Sequence, residues 1–256
     1  GEGVRVRSAN PVLDRLGETS REHRLPGVGG TEAVTVDDVV VRAVGLLLLT
    51  GAVAAAAWVV VPPAQWLPAA LAGTALAGVA LVLVISLRGI TQPAPIIGYA
   101  LLQGLLLGVA SRSFEAVYPG IVAQAVVGTF GVFLGMALLY RARLVRATPR
   151  LARLVIGTLL GVLAVTLVNL VFRLFTGRQG VEVYSLTGQV GWLPYVFSGV
   201  AIIAGALSFV LDFDQIERSV RGGLPRRYAW LCAFGLLVGL IFLYWQILRL
   251  LSYLRR

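Results

Sequence analysis

The chain is poor in the residues that soluble enzymes use for chemistry, with one cysteine, one histidine and one methionine in 256 residues. A single cysteine, Cys232, excludes an intramolecular disulfide and a cysteine metal cluster. His23, also alone, cannot complete a metal site or a catalytic triad by itself. The sequence contains no HExxH motif, no GxSxG motif between a strand and a helix, and no Walker loop. We therefore expect neither an enzyme nor a bound cofactor.

Charge is also scarce, and it is mostly of one sign. Only 13% of the residues are charged, 58% are hydrophobic, and the mean hydropathy is +0.86, far outside the range of soluble domains. The net charge is +10, and all of the 22 basic residues are arginine. The arginines separate apolar runs of about 20 residues, which is typical of a membrane protein and not of a nucleic-acid-binding surface. We expect a polytopic membrane protein without a nucleic-acid partner.

Seven apolar segments are long enough to span a bilayer as helices, and proline or glycine marks most of the breaks between them. Their predicted limits are 39–61, 68–88, 95–112, 120–140, 152–175, 195–217 and 228–252. The third segment is the shortest. The prediction is an all-α integral membrane protein, with a flexible polar cytoplasmic tail at 1–38 and a seven-helix transmembrane domain at 39–256. Thr35 and Asp37 are candidate caps of the first helix.

The distribution of arginine predicts the orientation in the membrane. With the N-terminus inside, sixteen arginines lie on the inner side and six on the outer side. The connection 64–66 has no charge, whereas 141–150 has four arginines. The positive-inside rule therefore predicts a cytoplasmic N-terminus in the cell membrane and a seventh helix that ends outside. The basic C-terminus, Arg255 and Arg256, fits this topology poorly and leaves a six-span or re-entrant arrangement open.

Small and polar residues inside the spans indicate where helices meet. Glycines three or four residues apart permit close approach of two helices, so we expect tight packing at all of them. These are Gly104 with Gly108, Gly128 with Gly131 and Gly135, and Gly157 with Gly161. Uncharged polar side chains in the spans are candidates for interhelical hydrogen bonds or for a polar lining. The candidates for a lining are Gln103, Asn169 and Gln246.

The strongest functional signal is a pair of carboxylates, Asp212 and Asp214, near the inner end of the sixth segment. An ionisable group at membrane depth is costly, and it marks an ion path, a proton relay or a gate. Residues two apart point about 200° away from each other on a helix, so these two do not form one carboxylate dyad. One interpretation is an ion path with Asp212 as a transient calcium ligand. The other is that both acids end the helix and pair with Arg218, Arg221 or Arg226.

The inner connection between the fourth and fifth segments is the second candidate site. It is predicted to bind anionic lipid headgroups, because basic side chains next to a membrane attract them. The arginines concerned are Arg141, Arg143, Arg146 and Arg150.

Several stretches together resemble the Bax inhibitor-1 family, specifically its actinobacterial branch. The resemblance covers nearly the whole chain after the tail, and the last two stretches are the most specific. The stretches are 8-SANPVLDRLGE-18, 98-GYALLQGLLLG-108, 117-VYPGIVAQAVVGTFGVFLGM-136, 207-LSFVLDFDQIERSV-220 and 228-YAWLCAFGLLVGLIFLYWQILRLLSYLR-255. The resemblance implies that the last helix is enclosed by the other six. It also implies a pH-sensitive calcium leak, gated in bacterial members by an aspartate pair shared between the sixth and seventh helices.

Asp212 matches the first aspartate of that pair, but the seventh helix of this chain has no acid. Anchoring on the terminal Leu-Arg-Leu-Leu places Gly239 or Val238 at the partner position. Gln103 stands where many relatives have a glutamate. We therefore expect a low-flux leak of calcium or another cation, with any pH modulation acting through Asp212. The alternatives are a non-conducting membrane protein that regulates a membrane protease or stress response, its protein partner unknown, and a secondary transporter.

Overall fold

The computed structural model describes residues 32–62, 67–177 and 191–256, and these form seven long helices. All seven are long and apolar enough to cross a membrane, and the described ranges contain no β-strand beyond one isolated bridge. The predicted seven-helix membrane architecture is thereby confirmed, with a seventh helix of full spanning length. The helices are α1 (Val36–Val60), α2 (Leu67–Arg88), α3 (Pro93–Val117), α4 (Ile121–Arg141), α5 (Pro149–Thr176), α6 (Trp192–Arg221) and α7 (Tyr228–Leu254).

The third helix is longer than the sequence predicted. It spans 25 residues and does not end at 112, because Arg112 finds partners inside the bundle. The Arg112 guanidinium donates hydrogen bonds to the carbonyls of Trp58 and Val61, at 2.8 and 3.1 Å. These carbonyls lie at the end of α1, where helix geometry leaves acceptors without intrahelical donors. Arg112, a charged residue of the kind that usually ends a span, therefore caps the C-terminal end of α1.

Thr35, one of the two predicted caps, begins α1 in a capping box with Asp38. The Asp38 amide donates to Thr35 Oγ1 at 3.2 Å, and the Thr35 amide donates to Asp38 Oδ2 at 3.1 Å. Residues 33–256 form one compact unit, in which the Val34 amide donates to the Leu224 carbonyl at 2.8 Å. Most of the predicted tail and of the predicted loop at 176–194 lies outside the described residues.

The last helix is the central one. α7 packs mainly against α1, α3, α4 and α6, while α2 packs on α3 and α5 packs on α6. Most of its apolar side chains are buried, unlike those of α2, α4 and α5. The predicted enclosure of the last helix therefore arises mainly from four neighbours, with α2 and α5 at the edge of the bundle.

The two ends of α7 are tied to other parts of the bundle. At its N-terminal end, Arg226 Nε, in the connection before α7, donates to Asp38 Oδ1 at 2.9 Å. At its C-terminal end, Arg255 donates to the Pro119 carbonyl and to Gln124 Oε1, both at 2.7 Å. The basic C-terminus thus has protein partners in the α3–α4 turn, which explains how it fits a position away from the arginine-rich side.

Glycine-mediated close packing is confirmed in α3 and is wrong in parts of α4 and α5. A Cβ on Gly108 would overlap the backbone of Ala54, and one on Gly104 would lie 2.7 Å from the Thr50 carbonyl oxygen. Gly128 has only ordinary contact, with Ile247 at 3.4 Å. The other four glycines face open space, with no described atom within 4 Å of a built Cβ, because α4 and α5 meet their neighbours through other faces. These are Gly131, Gly135, Gly157 and Gly161.

Candidate ion-path site at the α6–α7 interface

The two aspartates of α6 lie in different surroundings. Asp214 forms an ion pair with Arg218, one turn further along the same helix. Asp212 is partly buried and points at α7, where a Cβ built on Gly235 would lie 3.4 Å from Asp212 Oδ1. Within the described ranges, the Asp212 carboxylate has no hydrogen bond and no ion pair. The pairing interpretation therefore describes Asp214 and does not describe Asp212.

The arginines that could neutralise Asp212 are occupied elsewhere. Arg221 pairs with Glu217 at 3.4 Å, and Arg226 pairs with Asp38 at 2.9 Å. The Arg227 guanidinium lies 5.6 Å from the ring centroid of Tyr228. A carboxylate without a counter-ion attracts a mobile cation, whereas the charge of a paired carboxylate is already largely neutralised by its partner.

An apolar cluster lies beside the C-terminal part of α6. Val34, just before α1, and Val39, in its first turns, pack in the same buried cluster as Cys232 of α7 and Phe209 of α6. Cys232 Sγ lies 3.8 Å from Ser219 Oγ, in the last turn of α6. The start of α1 is thus part of the same packing unit as α6, which carries Asp212, and α7, which faces it.

On the side of Asp212 toward the N-terminus of α6, the α6–α7 interface contains two aromatic rings, Phe209 and Phe242, called here the ring pair. Phe209 lies on Gly239, where a Cβ would come within 2.8 Å of its Cε1 atom. Phe242 lies on Gly205 in the reverse sense, with a Cβ 3.0 Å from its Cδ1 atom. Phe209 is fully buried and meets Phe133 of α4 edge to face, with centroids 5.1 Å apart. Each ring occupies the groove that a glycine leaves on the facing helix.

The position opposite Asp212 differs from the sequence prediction by one helical turn. Gly235 faces Asp212, whereas Gly239, one of the two predicted partner positions, faces Phe209. The C-terminal anchor gives the order of residues along α7 but does not fix how the antiparallel helices are staggered. Neither position carries an acid, so the absence of a facing carboxylate does not depend on the register.

The three predicted lining residues are all buried but do not converge. The Gln103 amide lies against Gly78, at the contact of α2 and α3. Asn169 belongs to α5, at the edge of the bundle. Gln246 shares a face of α7 with Gly239 and Phe242, and its Oε1 has no hydrogen-bond partner among the described residues. Only Gln246 therefore lies along the same interface as Asp212.

Sequence reasoning missed Ser198, which is fully buried in the N-terminal half of α6 with its hydroxyl unpartnered among the described residues. A periodic signal for it exists, because residues three, four and seven apart share one helix face. On α6 this face contains Ser198, Gly205, Phe209 and Asp212, and on α7 the facing set is Gly235, Gly239, Phe242 and Gln246. The two sets place polar groups at both ends of the interface and the ring pair between them.

The number of metal ligands near Asp212 decides whether a metal ion can be held there. No three His, Cys, Asp or Glu side chains group closely enough to hold a metal within the part of the chain that the structure describes. Calcium takes six to eight oxygen ligands, and Asp212 supplies one carboxylate.

Seven helices of spanning length, with the last one buried by its neighbours and an unpaired carboxylate between the last two, describe a multi-pass membrane protein. The chain matches the family model described as Bax inhibitor 1 like over residues 10–256, and it belongs to that family. The match is to the family as a whole, and the actinobacterial branch stays a prediction. No curated protein matches the chain.

Proposed function

We propose that this chain is a low-flux leak for calcium or another cation in the cell membrane, with a cytoplasmic N-terminus and Asp212 at its gate. The observation that supports it best is the contrast between the two aspartates of α6. Asp214 is paired with Arg218, whereas Asp212 faces Gly235 without a counter-ion among the described residues. A charge kept unpaired within a membrane helix is costly, which favours a functional role.

Any pH response of this leak depends on a single carboxylate. Protonation removes the charge of Asp212 and with it the attraction for a cation. A switch in which two acids share a proton requires a second carboxylate in contact with the first, and α7 offers Gly235 at that position. We therefore expect a shallow response, with the steepness of one proton.

The ring pair supports a flux that is low. A cation moving outward from Asp212 along the α6–α7 interface would meet Phe209 and then Phe242, each lying on a glycine. Apolar constrictions act as barriers in channels because water leaves them. Conduction along this route requires the ring pair to move.

The filled interface also favours a second candidate, a non-conducting membrane protein that acts through a protein partner. In that case Asp212 and the ring pair would serve only the packing of α6 on α7. A secondary transporter has less support, because seven helices do not divide into two equal inverted repeats.

Calcium flux into proteoliposomes with an entrapped calcium dye, measured from acidic to neutral pH, distinguishes these functions. A unit charge at about 4 Å attracts a cation by on the order of 1 kcal/mol even in water, which corresponds to roughly fivefold in flux. Asp212→Asn is therefore expected to reduce neutral-pH flux by about fivefold or more and to abolish the pH response.

Asp214→Asn is the matched control, because it removes a carboxylate of the same helix that is already paired with Arg218. It should change the flux little. Flux and pH response of wild-type size in Asp212→Asn, at equal inserted protein, would refute the gate. Absence of flux above empty liposomes in the wild type would favour the non-conducting candidate.

A further inference from the structure

The connection between α4 and α5, together with the helix ends that flank it, presents four exposed arginines, called here the arginine surface. Within the described part of the chain, none of their guanidinium groups has an ion pair or a hydrogen bond to another residue. In contrast, the four arginines in the last turn of α6 and in the connection to α7 all have a partner, either a carboxylate or a ring. The arginine surface comprises Arg141, Arg143, Arg146 and Arg150.

Both connections lie at the same end of the bundle. Val145 and Ala147 pack against the apolar cluster that also receives Val220, in the last turn of α6, and Leu224 of the α6–α7 connection. A signal for membrane orientation alone would be served equally by paired and unpaired arginines on that side. The difference in pairing therefore needs a reason beyond orientation.

The backbone at Arg143 gives a second, independent indication. Arg143 has a φ of 59° and is the only described residue other than glycine with a positive φ. Its amide donates to the Tyr140 carbonyl, and the next amide, of Leu144, donates to the Leu139 carbonyl, both at 3.0 Å. This pattern ends many helices, and its left-handed position is usually glycine because a Cβ is strained there.

The end of α6 has the same hydrogen-bond pattern with the usual residue. Gly223, with a φ of 61°, donates to the Val220 carbonyl, and Leu224 donates to the Ser219 carbonyl. The chain therefore uses glycine in one copy of the turn and tolerates the strain of an arginine in the other. Strained positions that persist in a fold point to a function of the side chain.

The leucine after each turn differs in the same way. Leu224 packs into the apolar cluster, as the residue at this position of the motif commonly does. Leu144 is instead 73% exposed, between Arg143 and Arg146. An apolar side chain surrounded by cationic ones, at the ends of two spanning helices, has the chemistry of a membrane interface.

We propose that the arginine surface binds anionic phospholipid headgroups, with Leu144 reaching the acyl-chain boundary. Guanidinium groups bind phosphate oxygens through two parallel hydrogen bonds, and four of them here have no competing carboxylate. The exposed leucine favours a lipid over an acidic protein segment, which would offer no apolar contact at this depth. This surface does not depend on whether the protein conducts cations.

The test is native mass spectrometry of the detergent-solubilised full chain, titrated with phosphatidylglycerol or with phosphatidylcholine. Each basic residue near an anionic surface contributes roughly fivefold in binding. Replacing all four arginines with glutamine should weaken phosphatidylglycerol retention by more than about fivefold and leave phosphatidylcholine unaffected. The control variant, Arg218→Gln with Arg221→Gln, removes paired arginines and should retain phosphatidylglycerol as the wild type does.

Arg143→Gly separates the charge from the fold. Because glycine relieves the positive φ, this variant should melt at the wild-type temperature or above it while binding phosphatidylglycerol more weakly, by roughly fivefold. Wild-type retention of phosphatidylglycerol in both Arg143→Gly and the fourfold variant would overturn the proposal. Equal competition by inorganic phosphate, or preferential binding of a polyglutamate peptide, would overturn the lipid assignment as well.

Discussion

The two glycines of α7 that face α6 have different neighbours, although they are one turn apart. A Cβ on Gly235 would make nearly ordinary contact with the Asp212 carboxylate, at 3.4 Å. A Cβ on Gly239 would lie 2.8 Å from the ring of Phe209, closer than side-chain carbons approach. Gly239 is therefore required by packing, and Gly235 leaves space beside the acid.

Gly239→Ala is expected to destabilise the protein by about 1–3 kcal/mol, the usual cost of overpacking, whereas Gly235→Ala should change stability much less. The measurement is thermal unfolding in detergent. Phe209→Leu should recover part of the stability lost in Gly239→Ala, because it shortens the side chain that the new methyl group meets. Equal melting temperatures for the two alanine variants would show that the ring does not hold Gly239 tightly.

The acids could be found from the sequence, but their surroundings could not. Asp212 and Asp214 stand out because carboxylates are rare in apolar runs, and their spacing alone indicates that they point apart. That Asp212 lacks a partner while Asp214 has Arg218 depends on which face of α6 meets α7. The stagger of two antiparallel helices depends on how their side chains pack together. It cannot be predicted from the periodicity of one helix alone.

At the scale of elements, close approach is concentrated at the crossing of α1 and α3. Gly104 and Gly108 allow the α3 backbone to touch the α1 backbone near Thr50 and Ala54. The same spacing in α5, at Gly157 and Gly161, meets open space. Small-residue spacing predicts that a helix can be approached closely, but not that a neighbour approaches it.

Gly108→Ala should lower the melting temperature clearly, because the new methyl group would overlap backbone atoms that cannot rotate away. Gly157→Ala is the matched control, with the same chemical change at an open position, and should be neutral or slightly stabilising. Thermal unfolding in detergent compares the two. A Gly157→Ala variant as unstable as Gly108→Ala would contradict the assignment of these two faces.

Helix existence was predicted better than helix ends. All seven spans were found from apolar length, but the end of α3 was placed at 112, whereas the helix continues to 117. Arg112 does not end α3, because its guanidinium donates to two carbonyls of α1. In a sequence, a charged side chain that hydrogen-bonds to the end of a neighbouring helix looks the same as one that ends its own helix.

For the whole molecule, the arrangement of the connections makes the predicted topology testable. The α4–α5 and α6–α7 connections lie at one end of the bundle, and the α3–α4 turn lies at the other, beside Arg255. The excess of arginine at the first end predicts that it is cytoplasmic.

Single cysteines at exposed positions near the two ends, in a Cys232→Ala background, test this orientation. An impermeant thiol reagent applied to intact cells should label Ala116→Cys, near the end of α3, and should not label Ala142→Cys in the α4–α5 connection. Both cysteines should react after the cells are opened, which controls for accessibility. The reverse labelling pattern in intact cells would show that the protein has the opposite orientation in the membrane.

The ties at the two ends of α7 bear on how motion in this protein can be measured. A helix held by Arg226 to Asp38 and by Arg255 to the Pro119 carbonyl cannot slide along its axis without breaking one of these contacts. Spin labels on α7 and on the α3–α4 turn should therefore keep one separation wherever both contacts are intact. Labels on α2 or α5, which have little contact with α7, can then be referred to this fixed frame, so that a changed distance identifies the helix that moved.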